Sequence, residues 1–412
     1  MTLPSCIAID TRPSVLMVTH VLPYPPAAGN EIRIYKMLKW FSMRGYKITL
    51  ILKPLDDLEV SNDCILGLYD LVEDLHIFDN RAVVPPSHRI SISGDHLIDT
   101  DFEDPQLSKI LDSFCPPWFV NEVASIISNI KPDVVIAQYV FMSRILMLPE
   151  CTNALRIVDA HDLFCRKQAT VEQYGIKNYG LSLTEEQERR LLLRANVILA
   201  IQKAEQLEIA KFLPERKILL VSFDLDIHVT NHAFARNGHV LIVASGNEFN
   251  VRGTQDFLDY TWPLVRQQHS AARLTVIGKV CREVQCDDPT VSLLGFVESL
   301  EAEYEKAAVV VNPCRVGTGL KIKTIEALAW GKAHVAWPSA ADGLREIDDI
   351  PAIIAENAVD FADKIVSVLK SDQVRADLQV KAHDFIKKHF NAEYVYKALT
   401  NEIESYSKAD GV

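Results

Sequence analysis

Short runs of β-branched and other apolar residues alternate along the chain with longer stretches in which apolar positions recur every three or four residues. That alternation predicts parallel sheets with helices on both faces. In the first half the predicted strands are SVLMVTHVL, KITLILK, DVVIAQY, LRIVDAH, VILAIQ and KILLVSF. The helices between them include NEIRIYKMLKWFSMRG, WFVNEVASIISNI and LTEEQERRLLLRAN. A polar stretch without periodicity, FDLDIHVTNHAFARNG, reads as a linker. The alternation then restarts with HVLIVAS, RLTVIGK, VSLLG, AVVVNP, AHVAW and AIIAE. Two α/β units in series follow, expected over residues 1–225 and 226–390. The stretch from Asn80 to Pro117 holds so many breakers that it reads as an irregular excursion from the first unit.

Composition agrees with this picture. With 412 residues, 48% hydrophobic and 24% charged, the chain has enough material for two separate cores. Its net charge of −12 argues against nucleic acid as a partner, because phosphate-tracking surfaces need a basic excess. The 8 cysteines form no CxxC pair and no zinc-type spacing, so they read as reduced thiols in a cytoplasmic setting. No apolar run reaches the ~18 residues of a membrane span, and MTLPSCIAIDTRP lacks the order of a secretory signal. The acidic pairs Asp56-Asp57, Asp287-Asp288 and Asp348-Asp349 join no plausible ligand cluster and read as solvated surface, as does CREVQCDD. No metal site is expected.

Chemistry concentrates in NPCRVGTGLKIKTIEALAWGKAHVAWP, residues 312–338. Here an apolar strand runs through a glycine turn into a helix, an arrangement in which free backbone N–H groups and the positive helix end meet an anion. Gly317 and Gly319 let a phosphate approach the backbone, and Arg315, Lys321 and Lys323 add positive charge. Glu326, about two turns into the helix and leaning back toward its start, is placed to accept hydrogen bonds from ribose hydroxyls. The combination suits a nucleoside diphosphate. On spacing alone a plain alternative stays open, in which Lys323 and Glu326 form an i,i+3 surface pair and the glycines only make a turn.

The stretch VNPCRVGTGLKIKTIEALAWGKAHVAWPSAADGL resembles the donor-site signature of the family 4 retaining glycosyltransferases of GT-B fold. The matching positions are Gly317, Gly319, Lys323, Glu326, Ala327, Ala329, Gly331, Gly343 and Leu344. THVLPYPPAAGNEIRIYKMLKWFSMRGYKITLI is similar to the family's opening strand, glycine loop and first helix, with Gly29 and Arg33 in place. DAHDLF resembles its histidine loop, SGNEFNVRG its first loop in the second domain, and LLGFVESLEAEYEKAAVVVNP its base-binding segment.

The resemblance implies two Rossmann-like doubly wound domains facing a central cleft, with the last helix, in residues 391–412, crossing back to the first domain. It implies transfer of a sugar from a nucleotide-sugar donor, a UDP- or GDP-sugar, with retained configuration and no required cofactor or metal. The acceptor would be a glycan, a lipid-linked molecule or another compound. His161, Arg252 and Lys323 would act in catalysis. Glu326, Gly317, Thr318, Gly319, Leu320, Lys321, Arg315, Gly246, Gly29 and Phe296 would bind the donor. Gln138, Asp162 and Arg33 would contact acceptor or sugar. Many members carry two glutamates in the donor signature; the first would fall on Thr318, where no acid stands.

Two other readings stay open: epimerisation or phosphorolysis on the same fold, and a silent sugar-nucleotide binder serving as a partner subunit. A further expectation concerns YKMLKWFSMRGYK, where Lys36, Lys39, Arg44 and Lys47 lie beside Trp40, Phe41 and Met43. Such a mixture suits peripheral contact with an anionic membrane, against the plainer option that the apolar residues are the helix's core face.

Overall fold

The computed structural model describes residues 12–26, 28–55, 60–78, 104–172, 181–228, 238–297, 299–315, 320–344, 347 and 349–409. It contains two all-parallel sheets. The first has strands β1 (Ser14–Thr19), β2 (Lys47–Leu52), β3 (Asp74–Ile77), β4 (Val134–Gln138), β5 (Leu155–Asp159), β6 (Val197–Ala200) and β7 (Lys217–Leu220), in the order β3-β2-β1-β4-β5-β6-β7. The second has β8 (His239–Val243), β9 (Arg273–Ile277), β10 (Val291–Gly295), β11 (Val309–Asn312), β12 (His334–Ala336) and β13 (Ala352–Ile354), in the order β10-β9-β8-β11-β12-β13.

Around the first sheet run α1 (Gly29–Met43), α2 (Asn62–Tyr69), α3 (Pro105–Phe114), α4 (Pro117–Ile130), α5 (Phe164–Glu172), α6 (Glu185–Leu192) and α7 (Lys203–Phe212). Around the second run α8 (Glu248–Asp256), α9 (Trp262–Gln268), α10 (Glu301–Lys306), α11 (Ile322–Ala329), α12 (Ala358–Leu369) and α13 (Asp372–His389), and α14 (Ala392–Ala409) closes the chain.

Strands of this kind bury both faces, so neighbouring residues feed opposite cores. Leu16, Val18, Val135 and Ala137 join one apolar cluster, while Val15, Met17, Val134 and Ile136 join another on the opposite side of the first sheet. In the second sheet Val240 and Ile242 face one cluster and Leu241 faces another. The sequence-predicted strands all appear; β3, with only four half-buried residues, is the added one.

Regular structure in the 80–117 stretch corrects the sequence reading. Residues 79–103 lie outside the described set, but α3 fills 105–114, with Asp104 as its N-cap accepting from the backbone N–H groups of Gln106 and Leu107. Pro105, which looks like a breaker, occupies a first-turn position where its missing N–H costs nothing.

In α1 the apolar residues take the plainer of the two options. Met37, Leu38, Trp40 and Phe41 are buried, Lys36 pairs with Asp226 at 2.7 Å, and only Met43 of the apolar set is strongly exposed. The aromatic residues therefore serve the core and do not face a lipid surface. No helix among the described residues is long and apolar enough to cross a membrane.

α14 lies against the first sheet, although α11 and α13, which precede it, pack together beside the second. Val395, Tyr396, Leu399 and Ile403 join the cluster built on β1, β2 and α1. A further cluster joins the two halves directly, with Ile201 and Phe223 packed among Leu320, Ile325, Leu328, Leu344 and Phe390.

Candidate donor and acceptor site

At the C-terminal edge of the second sheet, loops leaving β8, β10 and β11 carry the expected donor residues; open parallel sheets bind ligands at this edge. Gly317, Thr318 and Gly319 lie outside the described residues. On one side of them, Cys314 is tied down by the Ser339 hydroxyl, which donates to its carbonyl at 2.9 Å, and the Arg315 guanidinium lies over the Trp337 ring at 4.3 Å. On the other side Leu320 is buried between the two halves, and α11 begins.

The sequence places Glu326 two turns in; the structure places it one turn in, because α11 starts at Ile322. Its carboxylate accepts from Lys323 Nζ at 2.8 Å and is largely buried, with 13% of the side chain exposed. The pair that spacing alone suggested is therefore present in the ligand-free chain, together with a half-buried position for the glutamate. Burial pulls the Lys321 ammonium down from its usual range, against the opposing pull of Cys314, Asp342 and Asp162.

Arg252 is exposed on α8, whose N-cap is Asn247, just after the exposed Gly246. What brings this helix to the site is Gly253, which pattern reading did not single out. A Cβ there would stand 2.6 Å from the Pro313 carbonyl oxygen, so only glycine lets α8 lie directly on the chain leaving β11. Phe296, following β10, is 79% exposed, an aromatic face free to stack. Trp330 at the end of α11 stacks with both His228 (3.8 Å) and Tyr304 (4.9 Å), and burial, then Glu326, raises the Tyr304 hydroxyl well above its usual value.

The first sheet contributes the opposing wall. Gly29 opens α1, and a Cβ on it would stand 2.2 Å from Ile322 Cδ1, so the glycine loop touches the start of the donor helix across the cleft. Gly343, at φ +80°, likewise meets Gln202 Oε1 from the other half.

His161 follows β5 in the left-handed region, at φ 60°. Its ring stacks on Tyr139 at 3.9 Å and 7°, and Nε2 lies 2.6 Å from Gln138 Oε1. An amide oxygen only accepts, so the proton sits on Nε2 and Nδ1 keeps its lone pair. Burial holds the imidazole down at about 4, despite Asp159, so it is neutral near pH 7.

Asp162 pairs with Lys167 at 2.7 Å and retains some exposure. For Arg33 and Gln138 the expected sugar or acceptor contact is corrected, since both are essentially without exposed surface. Arg33 grips Asp159 through Nε and Nη2 and donates to the Ser222 carbonyl, while Gln138 serves His161. Both hold the strand ends in position. Also unforeseen is Glu205, buried on α7, whose carboxyl burial raises to about 8. Among the described residues no group of three or more His, Cys, Asp or Glu side chains is placed to hold a metal ion.

The whole chain has the GT-B fold. TarM of S. aureus superposes with a TM-score of 0.69 at 14% identity, covering 96% of this chain and 100% of that one. Anabaena HepE, solved in complex with UDP and glucose, superposes with a TM-score of 0.62 at 12% identity, covering 95% and 99%. Residues 238–371, the second sheet and its helices, match the family model described as "Glycosyl transferases group 1". An uncharacterized 44.6 kDa protein in the cps region of Klebsiella pneumoniae is 24% identical over 180 residues. That match takes in 40% of this chain and 46% of the relative, so the chain spans just under half the length of this curated relative.

Proposed function

We propose that the protein is a retaining glycosyltransferase that moves a sugar from a nucleoside diphosphate sugar to a glycan, lipid-linked or other acceptor in polysaccharide or glycoconjugate assembly. The observation that carries this reading is the largely buried Glu326 carboxylate one turn into α11, with Lys323 beside it. Within hydrogen-bond reach of a ribose, such a carboxylate binds its two hydroxyls, while the start of α11 and the cations Arg252, Lys321 and Lys323 face the diphosphate. Negative charge grows on the departing nucleotide during transfer, and positive groups fixed there beforehand stabilise it most at that moment. Phe296 offers its exposed ring to the base. That HepE was solved with UDP and glucose supports the same assignment of the cleft.

His161, neutral and with its Nδ1 lone pair available, accepts a hydrogen bond from a sugar or acceptor hydroxyl on the first-domain wall. No metal is required in this scheme, because the three cations supply the charge; activity should survive a chelator, and its loss with recovery on Mg²⁺ or Mn²⁺ would count against it.

Isothermal titration with UDP, GDP and their sugars tests the donor assignment. One of them should bind wild type, and Glu326→Ala should bind it at least ten times more weakly, since a hydrogen bond to a charged group contributes ~1.5–3 kcal/mol. Unchanged affinity in the folded variant would overturn the donor assignment.

A further inference from the structure

Two neighbouring strands of the first sheet end in strained backbone. Tyr139, directly after β4, has φ 67° and ψ 150°, and His161, two residues after β5, has φ 60°. The Tyr139 angles belong to a region that essentially only glycine visits, because a side chain crowds the backbone there. Four described non-glycine residues have positive φ, and two of them are this pair, whose rings stack at 3.9 Å and 7°.

The strain at Tyr139 is held from both sides. Its backbone N–H donates to the Asp159 carbonyl at 2.9 Å, and its carbonyl accepts from the Met142 N–H at 3.2 Å. Val140–Met147 then form a 3₁₀-helix in which every residue from Val140 to Leu146 is buried. A chain that leaves β4 and turns at once into this buried helix passes through the strained conformation. Glycine would take it freely. A large side chain stands there instead, and its use must offset the strain.

The surroundings of the ring show that use. The strand order β1-β4-β5 sets Tyr139 between His20, after β1, and His161, with ring centroids 5.0 Å and 3.9 Å away. The His161 Nε2 bond to Gln138 Oε1, at 2.6 Å, fixes one point of the imidazole, and the parallel stack fixes its plane. Point and plane together set the direction of the Nδ1 lone pair.

The far end of the tyrosine reaches the other half of the cleft. Its hydroxyl is hydrogen-bonded to Asn30, and burial, then Asp162, raises that hydroxyl above its ordinary value, so it is a neutral phenol. Asn30 follows Gly29, at which a Cβ would stand 2.2 Å from Ile322 Cδ1 of α11.

We propose that Tyr139 is a positioning residue for the transfer: its ring sets the plane of the His161 imidazole, and its hydroxyl fastens the stacked pair to the glycine loop against the donor helix. This rests on the glycosyltransferase reading above. The strained backbone keeps the ring in that place before any substrate arrives, so the imidazole need not be ordered during the reaction.

Tyr139→Ala and Tyr139→Gly both remove the ring, and only the glycine variant relaxes the backbone. Tyr139→Gly should therefore melt above Tyr139→Ala, the reverse of the usual order of these residues. The His161 ring is followed by proton NMR through its Cε1–H signal, identified by its absence in His161→Ala. In wild type the ring should stay neutral down to pH 5, since its value lies at about 4. Without Tyr139 the imidazole gains water, and its midpoint should rise by about one pH unit or more toward 6.5. Turnover is read as UDP or GDP released from the nucleotide sugar that wild type binds, with water standing in for the acceptor. Both variants should lose about as much turnover as His161→Ala, keep nucleotide affinity within about twofold, and lose nothing further when combined with His161→Ala.

If Tyr139→Ala fails to fold, the glycine variant carries the NMR and turnover tests. A His161 ring still neutral at pH 5 in folded Tyr139→Gly, losses that multiply in the double variants, or an alanine variant that melts above the glycine one would each overturn the positioning role. Absence of nucleotide-sugar binding in wild type would instead count against the donor reading. The melting and NMR measurements need no ligand, so the two failures are separable.

Discussion

His161 occupies a backbone conformation that costs a non-glycine residue ~1–2 kcal/mol. Its ring is held by Tyr139 and Gln138. Removing the ring while leaving the donor wall intact should cut transfer by about tenfold, the loss of one hydrogen bond of ~0.5–1.5 kcal/mol to the sugar or acceptor hydroxyl. His161→Ala should therefore lose kcat and keep its nucleotide affinity within a few-fold, read by steady-state kinetics beside calorimetry. Gln138→Leu tests the positioning role, because without Oε1 the Nε2 proton has no amide acceptor. A fall in kcat with unchanged KM for the donor is the expected result.

Glu205 gives a pH signature. Its folded value of about 8 stands above the ordinary carboxyl value of 4.5, so the native state holds the proton more tightly than the unfolded chain. Its stabilising contribution is complete below pH 4.5 and is lost as the pH rises toward 8. Glu205→Gln, which mimics the protonated form, should flatten the fall in Tm over that window; an unchanged slope would refute it. The role of Glu205 does not show in a linear sequence. DAHD displays a histidine after a strand, but its neutrality and the burial of Arg33 and Gln138 arise from residues far away in the chain, such as Met17, Asp159 and Ser222.

Among the elements, strands were the most legible, because a strand buried on both faces writes itself as an unbroken apolar run, as VVIAQ and HVLIV do. α3 was not, since its two buried leucines are few and its opening proline mimics a breaker. α11 was legible as a helix, but its start at Ile322, and with it the depth of Glu326, was not, since no side-chain cap marks the Lys321 N-cap position.

Gly253 shows how one position sets an element's place. Added at this helical glycine, a Cβ would lie 2.6 Å from Pro313 O and 2.9 Å from Cys314 Cα, both backbone atoms that cannot rotate away. Gly253→Ala must push α8 outward and carry Arg252 away from the proposed diphosphate position. It should lower Tm and weaken nucleoside diphosphate binding together, by about tenfold if one charge-assisted hydrogen bond is lost. Wild-type affinity in this variant would mean that Arg252 does not need α8 held so close.

At the scale of the molecule the two sheets are tied by a returning helix. α14 follows α13, beside the second sheet, yet its buried face belongs to the core of the first. Tyr396 is the central tie: its ring stacks on Trp40 at 5.3 Å and its hydroxyl donates to Asp224 at 2.8 Å. Asp224 lies just after β7 on the strand of chain leading to the second half, with Lys36 Nζ 3.8 Å away. Burial raises the Asp224 carboxyl above its ordinary value, while Lys36 and the Tyr396 hydroxyl pull it back down.

Tyr396→Phe keeps the ring and removes only the hydroxyl, so it tests the polar tie apart from packing. A buried carboxylate deprived of a donor costs ~1–3 kcal/mol, which lowers Tm by several degrees in a unit of this size. The sign with pH follows from the same bond. Without the hydroxyl the folded Asp224 value rises further, so the variant's native state favours the protonated carboxyl more than wild type does. Its deficit relative to wild type is then full at neutral pH and shrinks as the pH falls through the folded Asp224 value, below which the carboxyl is neutral in both proteins. Melting curves of the two proteins at pH 7.5 and near pH 4.5 decide it: the gap in Tm should narrow in acid, and a gap of the same size at both would mean that the tie is made by the stacked rings alone.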